Sequence, residues 1–173
     1  MNEFWVYIGR MCPVHLGHQV IIDTMLDYHK NNCALLLGSS NADFTLRNFF
    51  NYKERRDFIK TLYPDIDIAG LADQHNDELW IQSLDDIIGL KYKGDIKNVL
   101  FWWGCEEDIS FFVERWRNYK TLNRFDGTTP KISATEVRDA LIHNRSLSGL
   151  VDQKIVNEVT DLFQTKRKLF ERK

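Results

Sequence analysis

The sequence predicts an α/β protein built on one parallel sheet of about five strands, with helices on both faces. Two observations predict it. Short apolar runs alternate with longer stretches of helical spacing along the whole chain, with no internal repeat, linker or low-complexity tract. The first of these runs, Phe4 to Gly9, is apolar at successive positions rather than at every second one, as expected of a strand covered on both sides. At 173 residues the chain is one domain's worth. Residues 1–173 are read as a single unit, with 150–173 a helical extension at its C-terminal end.

Phe4 to Gly9 is the first strand, and Met11 to Gly17 the turn after it. Helical spacing starts near Gly17 and runs to about His29, with Ile21, Ile22, Met25 and Leu26 on one side. Cys33 to Leu37 is the second strand, ended by Gly38 and Ser39. Asn41 to Asn51 is polar and irregular, interrupted by Phe49 and Phe50. Tyr52 to Leu62 reads as helix, with Phe58, Ile59 and Leu62 apolar; Pro64 stops it, because the residue before a proline is pushed out of the helical region. Asp65 to Leu71 is the third strand. Asn76 to Ile88 is a helix with Leu79, Trp80, Leu84, Ile87 and Ile88 on one side. Val99 to Trp103 is the fourth strand, ending at Gly104. Asp108 to Tyr119 is the next helix, capped by Asp108, and Leu122 to Phe125 a short fifth strand. Ser133 is placed to cap a short helix that runs to Ile142, with Glu136 three residues on as in a capping box. Asp152 to Phe170 is helical, in one piece or two. Right-handed crossovers put the strand ends, and the loops that follow them, on one edge of the sheet. Ligands bind at that edge in Rossmann-like folds.

Composition narrows the function classes. Lys plus Arg number 23 and Asp plus Glu 25, a net charge of −2, so no general attraction to a nucleic-acid polymer or an anionic membrane is expected. The three cysteines, Cys12, Cys33 and Cys105, form neither a disulfide framework nor a CxxC zinc pair. No apolar run approaches the roughly 20 residues that cross a bilayer, and the N-terminus lacks a signal peptide. A cytoplasmic location is expected.

The sharpest feature is the loop after the first strand, Gly9-Arg10-Met11-Cys12-Pro13-Val14-His15-Leu16-Gly17-His18. Two histidines three residues apart at a helix start face the same way. Amides at a helix N-terminus attract anions, and imidazole nitrogens add donors to a phosphate or to the charge that grows on it during transfer. Gly17 permits close approach of the backbone to a ligand. The loop is neither a Walker A loop nor a GxGxxG fingerprint. The same pair also fits ordinary cap or core histidines. A metal site would need at least one more protein ligand, and no third candidate stands out, so no protein-held metal is expected.

His15-Leu16-Gly17-His18 resembles the HxGH motif of the nucleotidylyltransferase superfamily, which follows the first strand and holds the nucleoside triphosphate. Ile132-Ser133-Ala134-Thr135-Glu136-Val137-Arg138 resembles the same superfamily's ISxTxxR motif at the start of a late helix. Both stand in the right order. Arginine grips phosphate oxygens in a bidentate way, while the bland alternative has a hydroxyl capping the helix and Arg138 in solvent.

The middle of the chain resembles one branch, the nicotinamide-mononucleotide adenylyltransferases of the archaeal and Nudix-fused bacterial type, here without a Nudix domain. Gly38-Ser39-Ser40 through Arg47-Asn48-Phe49-Phe50 is similar to its GSA…NPF stretch, Glu54-Arg55 to its ER pair, and Asn76-Asp77-Glu78-Leu79-Trp80 to its ND-x-x-W segment. Gly104, Asp108 and Ser110-Phe111-Phe112 resemble the region after its fourth strand. Met11 and Cys12 replace the usual Phe and Gln, and Phe49 the usual proline. The resemblance implies AMP transfer from ATP to nicotinamide or nicotinate mononucleotide. His15, His18 and Arg138 would be catalytic, with Gly9, Arg10, Gly17, Gly104, Ser133 and Thr135 on ATP. Trp80, Asn76, Asp77, Arg47 and Ser39 would hold the mononucleotide, and Mg²⁺ would enter on the ATP phosphates with water as its other ligands. Trp80 also fits a core position, Asn76 and Asp77 plain helix caps, and Arg47 a solvated loop. Of Trp102 and Trp103, one would fill the core and the other line the adenine pocket. Pantetheine-phosphate adenylyltransferase, FAD synthetase and cytidylyltransferase chemistry remain alternatives, as does a catalytically silent nucleotide-binding regulator. Assembly into a homo-oligomer is left open, with the C-terminal helices as a packing or oligomer element.

Overall fold

The computed structural model describes residues 3–29, 32–45, 47–93, 95–103, 110–115, 117–121 and 130–170. Five strands, β1 (Phe4–Gly9), β2 (Cys33–Leu37), β3 (Asp67–Gly70), β4 (Val99–Trp103) and β5 (Asn118–Thr121), form one sheet in the order β3-β2-β1-β4-β5. Every neighbouring pair is parallel. Among the described residues six α-helices accompany them: α1 (Leu16–His29), α2 (Tyr52–Leu62), α3 (Asp77–Asp86), α4 (Ser110–Val113), α5 (Ala134–Ile142) and α6 (Gln153–Phe170).

Side chains alternate across each strand, and the sheet therefore has two cores. Trp5, Tyr7, Leu35, Leu37 and Trp102 point to one face, where Ile21 and Met25 of α1, Phe58 of α2, Val137 of α5 and Ile155, Val159 and Phe163 of α6 cover them. Val6, Ile8, Leu36, Phe101 and Trp103 point to the other, covered by Ile81 and Leu84 of α3, by Ile88 just after it, and by Phe112 of α4. The chain winds outward from β1 through β2 to β3, then crosses to β4 on the opposite side of β1. In register, Val6 pairs with Phe101 and Tyr7 with Trp102, so β1 and β4 end almost level. The crevice between those two ends is the switch point of a doubly wound sheet, where ligands bind.

Four expectations are corrected. The fifth strand is Asn118–Thr121, overlapping the end of the stretch expected to be helix, and α4 is short. As an edge strand with one neighbour, β5 leaves Asn118, Tyr119 and Lys120 exposed and carries no apolar signature. Asp108 and the expected strand 122–125 lie outside the described residues. Leu79 is exposed, and Ile81 takes its place facing the sheet; positions two apart lie on opposite sides of a helix. The helix of Trp80 continues past Asp86 as a π-helical turn, Ile87–Lys91. The tail is one helix, α6, packed on α2. Among the described residues no helix is long and apolar enough to cross a membrane.

Candidate active site

The site grows from two helix starts. His15 precedes α1, and its carbonyl accepts the first helical bonds from the N–H groups of His18 and Gln19, at 2.8 and 3.1 Å. The His15 N–H donates to Nδ1 of His18 at 3.2 Å. His18 thus reaches back to the residue before the helix, as the third-position side chain of a capping box does. An Nδ1 that accepts is unprotonated, so in the neutral ring the proton sits on Nε2. The two imidazoles lie against each other, tilted by 30° with centroids 3.6 Å apart, and both are buried. Gly17 has a packing reason: a Cβ there would meet His15 Cε1 at 3.1 Å and the Ile132 carbonyl oxygen at 3.4 Å. What approaches it closely is therefore the protein itself. Without a side chain at 17, the start of α1 touches the segment that leads into α5.

At α5, Ser133 Oγ accepts from the Glu136 N–H at 3.1 Å and caps the helix. Thr135 Oγ1 accepts from Nη2 of Arg138 at 3.0 Å, which aims the guanidinium. Arg138 is half-buried. Burial, and then the charges of Arg10 and Arg47, push it below the ordinary arginine value.

A cleft of about 230 Å³ opens between the ends of β1 and β4. It is lined by Gly9, Arg10, His15, His18, Arg47, Trp103, Thr135 and Arg138, together with Met11 and Cys12. Among the described residues none of its three arginines has a carboxylate within ion-pairing distance. Like charges gathered without counter-ions favour a multiply charged anion. No group of three or more His, Cys, Asp or Glu side chains among the described residues could hold a metal ion.

The other described sequence-selected residues are not part of this lining. Ser39 is buried and donates to Asp73 Oδ1 at 3.0 Å. Asn76 caps α3, its Oδ1 accepting from the Leu79 N–H at 2.9 Å, and Asp77 is exposed in the first turn. Trp80 is half-buried, edge-on to Phe112 at 6.3 Å; Phe112 in turn lies 4.8 Å from Trp103. An aromatic row therefore links Trp80 to the cleft wall. Trp102 fills the core beside Trp5. Gly104 lies outside the described residues.

Sequence reasoning assigned no task to Arg55. Its side chain is fully buried, and the guanidinium donates to the carbonyls of Arg10 (2.6 Å), Gly38 (2.8 Å), Ser39 (3.0 Å) and Asn51 (3.3 Å). Burial pushes it below the ordinary arginine value. One cation thus ties the loop after β1 to the end of β2 and the start of α2. Arg55→Met should leave these carbonyls without their charged donor and cost about 3 kcal/mol, the scale of losing hydrogen bonds to a buried charged group. For a domain of this size that is about 10 °C in melting temperature, measurable by calorimetry. An unchanged melting temperature would show that the carbonyls find other donors.

The fold is a Rossmann-like nucleotidylyltransferase fold, and the segments around His15–His18 and Ile132–Arg138 meet at its switch point. More particularly, the chain is similar to a phosphopantetheine adenylyltransferase of Fusobacterium nucleatum, with 25% identity over 159 residues, 89% of this chain and 92% of that protein. Among solved structures it superposes on a bifunctional NMN adenylyltransferase/ADP ribose pyrophosphatase from Francisella tularensis, with a TM-score of 0.76 and 19% identity, over 95% of this chain and 52% of that one. A structure of such an enzyme from the same organism, complexed with AMP and a manganese ion, gives a TM-score of 0.71 at 19% identity, over 96% and 52%. The chain spans about half the length of these solved structures. No family model matches it.

Proposed function

We propose that the protein transfers AMP from ATP to nicotinamide mononucleotide or its nicotinate counterpart, forming the dinucleotide and releasing pyrophosphate. The observation that carries the proposal is the single cleft in which two helix starts, two histidines and three arginines converge. The fold shared with the bifunctional NMN adenylyltransferase supports this acceptor, as does the Asn76 to Trp80 segment at the start of α3.

In this reaction an oxygen of the acceptor phosphate attacks the α-phosphorus of ATP, and the bond to the bridging α–β oxygen breaks. The nucleophile is already largely a dianion at neutral pH, because the second ionisation of a phosphate monoester falls near pH 6. No side-chain base is required. The protein's work is to align the reactants and to meet the charge that develops. His18 offers its Nε2–H, and His15 lies against it at the transferring phosphate. Arg138, aimed by Thr135, takes the leaving pyrophosphate, and Arg10 adds charge at the end of β1. Mg²⁺ accompanying ATP would neutralise phosphate charge. Ser133 acts through the helix it caps, and Gly17 through the contact it allows.

Trp80 would stack on the acceptor's ring. Trp80→Ala should raise KM for the mononucleotide about tenfold, the scale of one lost base–aromatic stack, with little change in kcat. An unchanged KM would remove Trp80 from the site. The likeness to phosphopantetheine adenylyltransferase favours a second acceptor, phosphopantetheine, through the same attack on ATP. Incubation with ATP, Mg²⁺ and a panel of phosphorylated acceptors separates the two. Pyrophosphate release with phosphopantetheine alone would replace the pyridine proposal, and ATP binding without release in any arm would point to a regulator.

A further inference from the structure

We propose that the C-terminal helix α6 braces the ligand cleft, with Phe163 and Lys166 acting as positioning residues that hold Arg47 opposite Arg138. The inference takes from the functional proposal that the cleft binds phosphate groups, and goes beyond it by naming residues outside the cleft that set its charge geometry.

Arg47 stands on the connection between β2 and α2, and no helix or strand carries it. The described residues around it close a small loop: Thr45 N–H donates to the Asn48 carbonyl at 2.8 Å, and Asn48 N–H to the Thr45 carbonyl at 3.1 Å. Such a loop fixes its own shape but not its place. Its position comes from two sides. On one, the Cys12 thiol and the Phe50 backbone exchange contacts, with Phe50 N–H donating to Sγ at 3.4 Å. On the other stands α6. The ring of Phe49 lies 4.9 Å from that of Phe163. Lys166 Nζ lies 5.6 Å from the Phe44 ring and 3.6 Å from Asp43, and it bonds Glu54, whose carboxylate also accepts from the Asn51 N–H in the capping box of α2. The Lys166 side chain is only 14% exposed, so this is not a freely solvated surface pair.

The same helix grips the end of α5, the element that carries Arg138. Arg167 donates to the Ile142 carbonyl at 2.8 Å, and Gln164 to Asn144 Oδ1 at 2.6 Å. One helix therefore fixes both the Arg47 loop and the far end of α5. Arg47 is exposed and faces like charge, so without an outside hold it would swing toward solvent and leave the anion one donor short.

The test measures affinity for inorganic pyrophosphate by calorimetry on the full chain. Lys166→Met and Arg47→Ala are each expected to weaken binding about tenfold, the worth of one charge-assisted contact, and the double variant no more than Arg47→Ala alone. Lys166→Arg, which keeps a charge in reach of Glu54 and Asp43, should bind like the wild type. Wild-type affinity in Lys166→Met, or a double variant weakened by the product of the two single effects, would overturn the brace. If Lys166→Met does not fold, Asp43→Asn at an exposed carboxylate serves instead, with an expected loss of about threefold; no loss would overturn the brace equally. Turnover is scored separately. A wild type that binds pyrophosphate but releases none from ATP sinks the transferase proposal, while the brace is judged on affinity alone.

Discussion

Arg138→Ala is expected to lower kcat/KM about 1000-fold, within the range for losing a donor aimed at developing charge. The same variant should melt no lower than the wild type. Both expectations follow from one geometry. Arg138 is half-buried, bonded to Thr135, and faces Arg10 and Arg47 with no carboxylate among the described residues to offset them. In the absence of an anion its charge is a cost to the fold, and in the proposed reaction it is the group that would receive the departing pyrophosphate. Sites that hold like charges together commonly exchange stability for function in this way. A steady-state assay and a melting curve on one preparation test the pair. A large drop in melting temperature with modest loss of activity would mean that Arg138 is a structural cap of α5 and not a phosphate ligand.

His18→Ala is expected to reduce turnover about 100-fold or more, the effect of removing one transition-state donor. The structure adds a stability cost, because the His18 ring also accepts the His15 N–H. Losing that cap should cost about 1 kcal/mol. The two roles can be separated. Asparagine carries an acceptor where His18 has Nδ1 but nothing where it has Nε2. His18→Asn should therefore recover the melting temperature while turnover stays low. Near-native turnover in either variant would remove His18 from the chemistry.

The parts of the molecule that were legible in the sequence share a cause. β1, β2 and β4 lie at the middle of the sheet, buried on both faces, and their continuous apolar runs record that burial directly. β5 stands at the edge, so its four residues carry no apolar run, and the first two read as the end of a helix. In the cleft, His15 and His18 stand out by their spacing at a helix start, while the selection of Thr135 and Arg138, and the roles of all four, come from the motif resemblance and not from spacing alone. Lys166 carries no such mark, and Arg55 only its place in the Glu54-Arg55 pair without a role, since a cation in a helix reads as solvated surface until tertiary packing is known. A weak signal for Arg55 existed: it precedes Phe58 and Ile59 by three and four residues, on the apolar side of α2. For Lys166, whose partners Asp43, Phe44 and Glu54 are remote in the chain, no local signal exists. Phe49 stood out only as a departure from the proline of related sequences, and its ring proves to be a contact of α6.

The most direct measurement is the stoichiometry of the uncoupled products. Purified protein is incubated with ATP, Mg²⁺ and nicotinamide or nicotinate mononucleotide, and both products are quantified. Equal amounts of pyrophosphate and pyridine dinucleotide, abolished together in Arg138→Ala, are expected. ATP consumed to phosphate or ADP, or an inert mixture, would mean that the cleft between β1 and β4 does not join these two substrates.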